Sequence, residues 1–196
     1  MKFAIADPPY LGRAYRWYGV NGRGKGKGKN RADQHPEAHL WDQPETHINL
    51  AKELMANYDG FAIAATSHSL STYLSVIPTH SENGIKIMTW IKPGSFPGGS
   101  RIINSWEPVI VKVPKDRKGR HKGKLIVDYL ICPSPRKKYV GTKPEQWTNW
   151  VLDAMGVQLE DTVEDLFVGS GQVSQVISAR LAQASELRHA ENVIHA

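Results

Sequence analysis

Short apolar runs alternate with longer segments in which apolar residues return every three or four positions. Lys2–Asp7 (KFAIAD) and Gly60–Thr66 (GFAIAAT) read as buried strands, and Ile85–Lys92 (IKIMTWIK), Trp106–Val113 (WEPVIVKV) and Thr162–Phe167 (TVEDLF) as further strands. Leu125–Cys132 is a candidate for one more. The amphipathic segments predict helices. Thr46 caps one that reaches Tyr58, with Ile48, Leu50, Ala51, Leu54 and Met55 on its apolar side. A short helix spans Ser67–Ile77, and Pro144 opens another that runs to Met155 and stops at Gly156. The last extends from about Gln172 to Leu187. Strands alternating with helices predict a single α/β domain over 1–196. Its mostly parallel sheet has about five or more strands and carries helices on both faces.

Three stretches break the alternation, and all are basic. From Pro8 to about Glu45 no period is sustained, and Gly24–Lys29 alternates glycine with lysine. Between Leu11 and Arg31 stand Arg13, Arg16, Arg23, Lys25, Lys27, Lys29 and Arg31 with no acid among them. Lys112, Lys115, Arg117, Lys118, Arg120, Lys122 and Lys124 follow later, against Asp116 alone, and Arg136, Lys137, Lys138 and Lys143 later still. These stretches hold eighteen of the 25 basic residues, so a net charge of +6 understates how strongly the loops are positive. The loops at about 11–45 and 114–124 are expected to meet a polyanion, most simply nucleic acid. Arg13, Arg16, Arg23, Lys25, Lys27, Lys29, Arg31, Lys118, Arg120 and Lys122 are the candidate contacts.

Composition removes several classes. With 196 residues, 40% of them hydrophobic, the chain can bury a core without disulfides or metal. A lone cysteine, Cys132, reads as a small buried residue and points to a reducing, cytoplasmic setting. No apolar run approaches 18 residues, and MKFAIADPPY is too short for a signal peptide. His35 and His39 have ligand spacing and His47 follows, but no cysteine accompanies them. We read all three as ordinary surface histidines and expect no metal.

The chemistry lies in two motifs at the ends of strands. Asp7-Pro8-Pro9-Tyr10 closes the first strand, at the end of an open α/β sheet where ligands bind. Two prolines remove backbone donors and stiffen the loop. A carboxylate and a proline carbonyl can accept both hydrogens of an exocyclic amino group, and an aromatic ring beside them can stack on the base. Asp165-Leu166-Phe167-Val168-Gly169-Ser170-Gly171 runs from strand to glycine turn to helix. Its glycines admit a ligand close to the backbone, and the helix start offers free N–H groups.

In this order the two motifs resemble the S-adenosylmethionine-dependent amino-methyltransferases of DNA, in particular the N6-adenine enzymes with permuted, β-class motif order. Trp90-Ile91-Lys92-Pro93, Trp106-Glu107-Pro108 and Gly141-Thr142-Lys143-Pro144-Glu145 resemble further segments of that group. The compact build is similar to short methylases of phages and prophages. The resemblance implies a Rossmann-like methyltransferase fold in which Asp7 and the Pro8 carbonyl hold the adenine amino group. Pro9 would complete that turn and Tyr10 would stack on a flipped base. It assigns Asp165, Phe167, Gly169, Ser170 and Gly171, with Lys143, Pro144 and Asp7, to the cofactor S-adenosylmethionine. Double-stranded DNA would be the partner of a monomer or homodimer, with Arg16, Trp17, Tyr18 or Trp41 available to wedge into the duplex. Two alternatives stand beside it: an RNA adenine methyltransferase of the related DPPW-bearing group, and a non-catalytic nucleic-acid-binding protein on a degenerate fold. The family's ribose-binding acid should follow about 20 residues after the glycine turn. Only Glu186 and Glu191 stand near there. With no separate reader domain evident, specificity would come from the loops at 11–45 and 93–143.

Overall fold

The computed structural model describes residues 1–25, 31–80, 83–94, 101–135 and 139–194, the stretch 184–194 as helix backbone only. The expectations placed on Lys27, Lys29, Arg136, Lys137 and Lys138, and on the side chains of Glu186 and Glu191, lie outside the described residues. The described elements are β1 (Lys2–Ala6), α1 (Ala14–Tyr18), a 3-10 turn (Pro36–Asp42), α2 (Pro44–Asn57), β2 (Gly60–Ala64) and α3 (Leu70–Leu74). They continue with β3 (Ile85–Ile91), β4 (Trp106–Lys112), a 3-10 turn (Lys115–Arg117), β5 (Tyr129–Ile131), α4 (Glu145–Met155), β6 (Thr162–Asp165) and α5 (Gln172–Ile194).

The six strands form one sheet in the order β5-β3-β4-β2-β1-β6. β1 pairs in parallel with β2 and β6, and β3 in parallel with β5, while β4 runs antiparallel to both β2 and β3. Five strands therefore share one direction, and β4 alone is reversed. The sheet is mostly parallel, as its continuous apolar runs imply.

Each face has its own core. Phe3 and Ile5 of β1 point towards α4 and α5, among Trp90, Trp147, Val151, Met155 and Ile177. Ala4 and Ala6 point the other way, towards Leu50, Leu54 and Tyr73 of α2 and α3. Alternate side chains of one strand thus serve two cores. Gly60 opens β2 because a Cβ there would come within 2.6 Å of the Phe3 ring. α4 ends on Gly156 in the left-handed region, φ 73°, as its sequence indicates.

The long segment after β1 is more ordered than its lack of period predicts. Asp42 accepts hydrogen bonds from the Ala14 and Tyr15 backbone N–H groups, both at 2.9 Å, and so starts α1 from a distance of 28 positions. α2 starts at Pro44 rather than Thr46, whose hydroxyl donates back to Leu40 O instead. The candidate strand over 125–132 shortens to β5. Trp150 Nε1 donates to Val127 O and Trp90 Nε1 to Cys132 O, so buried indoles anchor the segment on either side of it. Cys132 is buried, as expected.

Candidate functional site

Pairing of β1 with β6 brings both motifs to one end of the sheet. Ile5 lies opposite Asp165, and Leu166 N donates to Ile5 O at 3.0 Å. The chain leaves β1 at Asp7 into two prolines that cannot extend the ladder. From the far side Lys143 arrives just before α4, and its side chain is 1% exposed. Its Nζ donates to Asp7 Oδ1 at 2.7 Å, to the Tyr10 hydroxyl at 3.2 Å and to Gly141 O at 3.3 Å. The rings of Tyr10, Trp147 and Trp90 lie 5.4–5.9 Å from the same ammonium.

A second carboxylate completes the cluster. Glu107 accepts from the Tyr10 hydroxyl at 2.7 Å and from Lys92 Nζ at 2.6 Å, and stands 4.0 Å from Lys143 Nζ. Charges therefore alternate Lys92–Glu107–Lys143–Asp7, with Tyr10 bridging the two halves. Burial raises the Asp7 carboxyl above its ordinary value, and the attraction and hydrogen bond of Lys143 only partly offset this. Burial would raise Glu107 too, but Lys143, Lys92 and the hydrogen bonds from Lys92 and Tyr10 outweigh it and hold the carboxyl low. Burial, followed by the charges of Glu107 and Asp7, pushes the Tyr10 phenol far up, so it remains a donor.

Beside this cluster a cavity of about 340 Å³ opens, within the ~300–1,000 Å³ range usual for ligand sites. Asp7, Pro9 and Lys143 form one side and Phe167, Gly169 and Ser170 another. The segment after β1 closes it with Tyr18, Ala32, Asp33, His35, Ala38 and Trp41. Gly169 and Gly171 hold φ values of 46° and 74°, which the turn into α5 requires and side-chain-bearing residues resist.

Trp41 is fixed from behind. Its ring meets Phe167 edge-on at 5.0 Å and His47 at 5.3 Å. His47 is 1% exposed, not a surface residue as its polar neighbourhood predicts. Burial lowers its pKa, so the ring is neutral: Nε2 donates to Trp41 O at 2.8 Å, and Nδ1 accepts from the Tyr73 hydroxyl at 2.6 Å. No group of three or more metal-ligating side chains occurs among the described residues.

Several expected site residues stand behind the cavity wall rather than on it. Asp165 accepts from Ser174 Oγ at 2.5 Å and from Phe167 N at 3.3 Å, which braces the glycine turn. Gly171 N closes the same turn onto Val168 O. Pro144 precedes the first residue of α4, and Pro8 and Tyr10 flank Asp7 and Pro9 outside the lining. Lys92 and Glu107 were given no role by sequence reasoning. Their contact depends on the antiparallel register that sets Trp90 opposite Glu107.

The basic residues separate into two groups. Arg13, Arg16, Arg23 and Lys25 are exposed on the segment that closes the cavity. Arg31 instead lies over the Tyr139 ring at 5.1 Å and bridges to it through the backbone. Lys118, Arg120 and Lys122 are not beside Asp7. With Lys86, Arg117 and Lys124 they line a different cavity, of about 660 Å³, between the start of β3 and the end of α4. Nearby Arg117 joins Asp161, which holds the Met1 amino group. That end of β1 is roughly 20 Å from Asp7 at ~3.3 Å per strand residue.

One reversed strand in an otherwise parallel sheet, with the site at the carboxyl ends of β1 and β6, defines a Rossmann-like methyltransferase fold. Among solved structures the chain is similar to the crystal structure of the M1.HpyAVI–SAM complex, with a TM-score of 0.54 and 17% identity over 92% of this chain and 78% of that one. It is also similar to the crystal structure of M1.HpyAVI, with a TM-score of 0.52 and 16% identity over 91% and 76% of the two chains. No family model and no curated protein matches the chain. Among the described residues no helix is long and apolar enough to cross a membrane.

Proposed function

We propose that the protein transfers a methyl group from S-adenosylmethionine to the exocyclic amino group of adenine in DNA. The observation that carries this reading is Asp7. Its carboxylate is held by Lys143 through Oδ1, while Oδ2 makes no hydrogen bond among the described residues, and the residue forms part of the cavity wall. That free oxygen, with the carbonyl of the adjoining Pro8, would be the acceptor pair an amino group needs to lose conjugation with its ring. No strong base is required. Proximity and hydrogen bonds that strengthen as the amine becomes tetrahedral provide the catalysis.

The cavity suits the cofactor in size and in chemistry. It joins a glycine turn at the start of a 23-residue helix, an ammonium, aromatic walls and a carboxylate. Phe167, Gly169, Ser170 and Lys143 would hold S-adenosylmethionine, and Asp165, Gly171 and Pro144 would shape the loops that present them. When bound, that cofactor supplies an electrophilic methyl group. Tyr10, kept protonated and tied to Glu107, would present its ring to the base. Arg13, Arg16, Arg23 and Lys25 would meet phosphates around the opening. The structural likeness to the M1.HpyAVI–SAM complex, and the order of the two motifs along the chain, support the reading.

Methyl transfer from labelled cofactor to duplex DNA, followed by nucleoside analysis, tests it. We expect N6-methyladenine with the intact protein, and a loss of about 10³-fold or more with Asp7→Ala. A variant as active as the parent, or transfer to RNA or cytosine alone, would overturn it.

A further inference from the structure

We propose that Asp33 accepts hydrogen bonds from the ribose hydroxyls of the bound cofactor; this rests on the S-adenosylmethionine reading above. In dinucleotide-binding Rossmann folds a carboxylate on the strand after the glycine turn does this work. Here β6, the strand that carries the turn, is an edge strand of the sheet, and among the described residues that follow it no carboxylate lines the cavity. The segment after β1 supplies that wall instead.

Only two carboxylates line the cavity among the described residues, Asp7 and Asp33. Asp7 is held by Lys143. Among the described residues Asp33 has no hydrogen bond and no ion pair, although its backbone is held on both sides. Ala32 N donates to Gly24 O at 3.1 Å, Val140 N to Arg31 O at 2.8 Å and His35 N to Tyr18 O at 2.7 Å. A carboxylate fixed in place with unused acceptors suits a ligand with paired donors. A vicinal diol offers two O–H groups at the spacing one carboxylate accepts.

The surrounding wall favours the uncharged part of the cofactor. Ala32, Ala38 and Trp41 present apolar surface beside Asp33, whereas Lys143 and the glycine turn bring the cation and the free N–H groups. The cofactor's own carboxylate belongs with those donors, which leaves the nucleoside for the wall carrying Asp33. Tyr18 stands between the two acids. Burial, then the charges of Asp7, Glu107 and Asp33, push its phenol up and keep its proton on.

Calorimetric titration of the full chain, with no turnover, separates the possibilities. The ligands are S-adenosylmethionine, S-adenosylhomocysteine, its 2′,3′-dideoxy analogue, and 5′-methylthioadenosine, which lacks the amino-acid part. We expect Asp33→Asn and Asp33→Ala to weaken S-adenosylhomocysteine and 5′-methylthioadenosine alike, by about tenfold or more. The dideoxy analogue should bind parent and variants equally. Unchanged affinity in the variants would overturn the proposal. So would a loss seen with S-adenosylhomocysteine but absent with 5′-methylthioadenosine, which would assign Asp33 to the ammonium group. Failure of the parent chain to bind any of the four would instead remove the cofactor reading on which the proposal stands.

Discussion

The charged group around Lys143 and the pair at Lys124, towards opposite ends of the sheet, are the same kinds of residue in opposite conditions. At the carboxyl end of β1, the side chains of Lys143, Lys92 and Glu107 are 1%, 12% and 16% exposed and pair at 2.6–2.7 Å with one another or with Asp7. At the other end Lys124 is 76% exposed and reaches Asp153 at 3.4 Å. An exposed pair of that kind contributes at most ~1 kcal/mol. The buried cluster is costly to assemble, because each charge leaves water, and an apolar replacement of similar shape would often be no less stable. Its presence is explained by what it presents to the cavity, a buried carboxylate that Lys143 holds more acidic than burial alone would leave it. The exposed Lys124 pair needs no such explanation, and the lysines around it can serve solubility as well as binding.

Among the residues that hold Asp7, removing the central cation should have the largest effect. Lys143→Met leaves Asp7 and Glu107 buried without the ammonium between them, and single-turnover methyl transfer should fall on the order of 10²–10³-fold. On the proposed function Asp7 accepts from the amine as a carboxylate, so activity should disappear as pH falls through its pKa. Burial already raises that pKa and Lys143 opposes the rise, so in the variant the acid limb should move to higher pH. Glu107→Gln should cost less, about tenfold, and should move the limb the other way. The Glu107 charge raises the Asp7 pKa, and removing it lets Asp7 stay ionised to lower pH. Rate–pH profiles of both variants decide the matter. Limbs that shift in the same direction would mean the four charges do not act as one cluster.

The same contrast explains what the sequence made legible. β1, β2 and the middle of β4 were visible because strands covered on both faces read as unbroken apolar runs, and β3 and β6 were visible although partly exposed. Asp7 was visible because two prolines after a strand mark a loop that must leave the sheet. α1 and the 3-10 turn were hidden, since their order comes from Asp42 capping a helix 28 residues away and from Trp41 packing on Phe167. Lys92 and Glu107 sit in segments that sequence reasoning marked, but their contact needs the β3–β4 register. The position of the basic loop after β4 was not legible for a related reason. Apolar runs do not report strand direction, and the reversal of β4 sends the residues that follow it to the end of the sheet away from Asp7.

That relocation gives the prediction with the smallest effect, and the sharpest for the comparison. If DNA docks over the cavity, charges on the segment that closes it should matter and those at the far end should not. Arg13→Glu combined with Arg16→Glu should weaken binding of a short duplex by about tenfold, and should lower the slope of log affinity against log salt by about two. Reversing Lys118, Arg120 and Lys122 together should leave affinity for that duplex within about twofold, since those groups lie too far from the opening for a short duplex to touch both. Fluorescence anisotropy across a salt series measures both slopes. A drop of about three in the second variant would place the duplex along the side of the sheet rather than across its carboxyl end. The base would then have to reach Asp7 from a different direction, past β3 and β5.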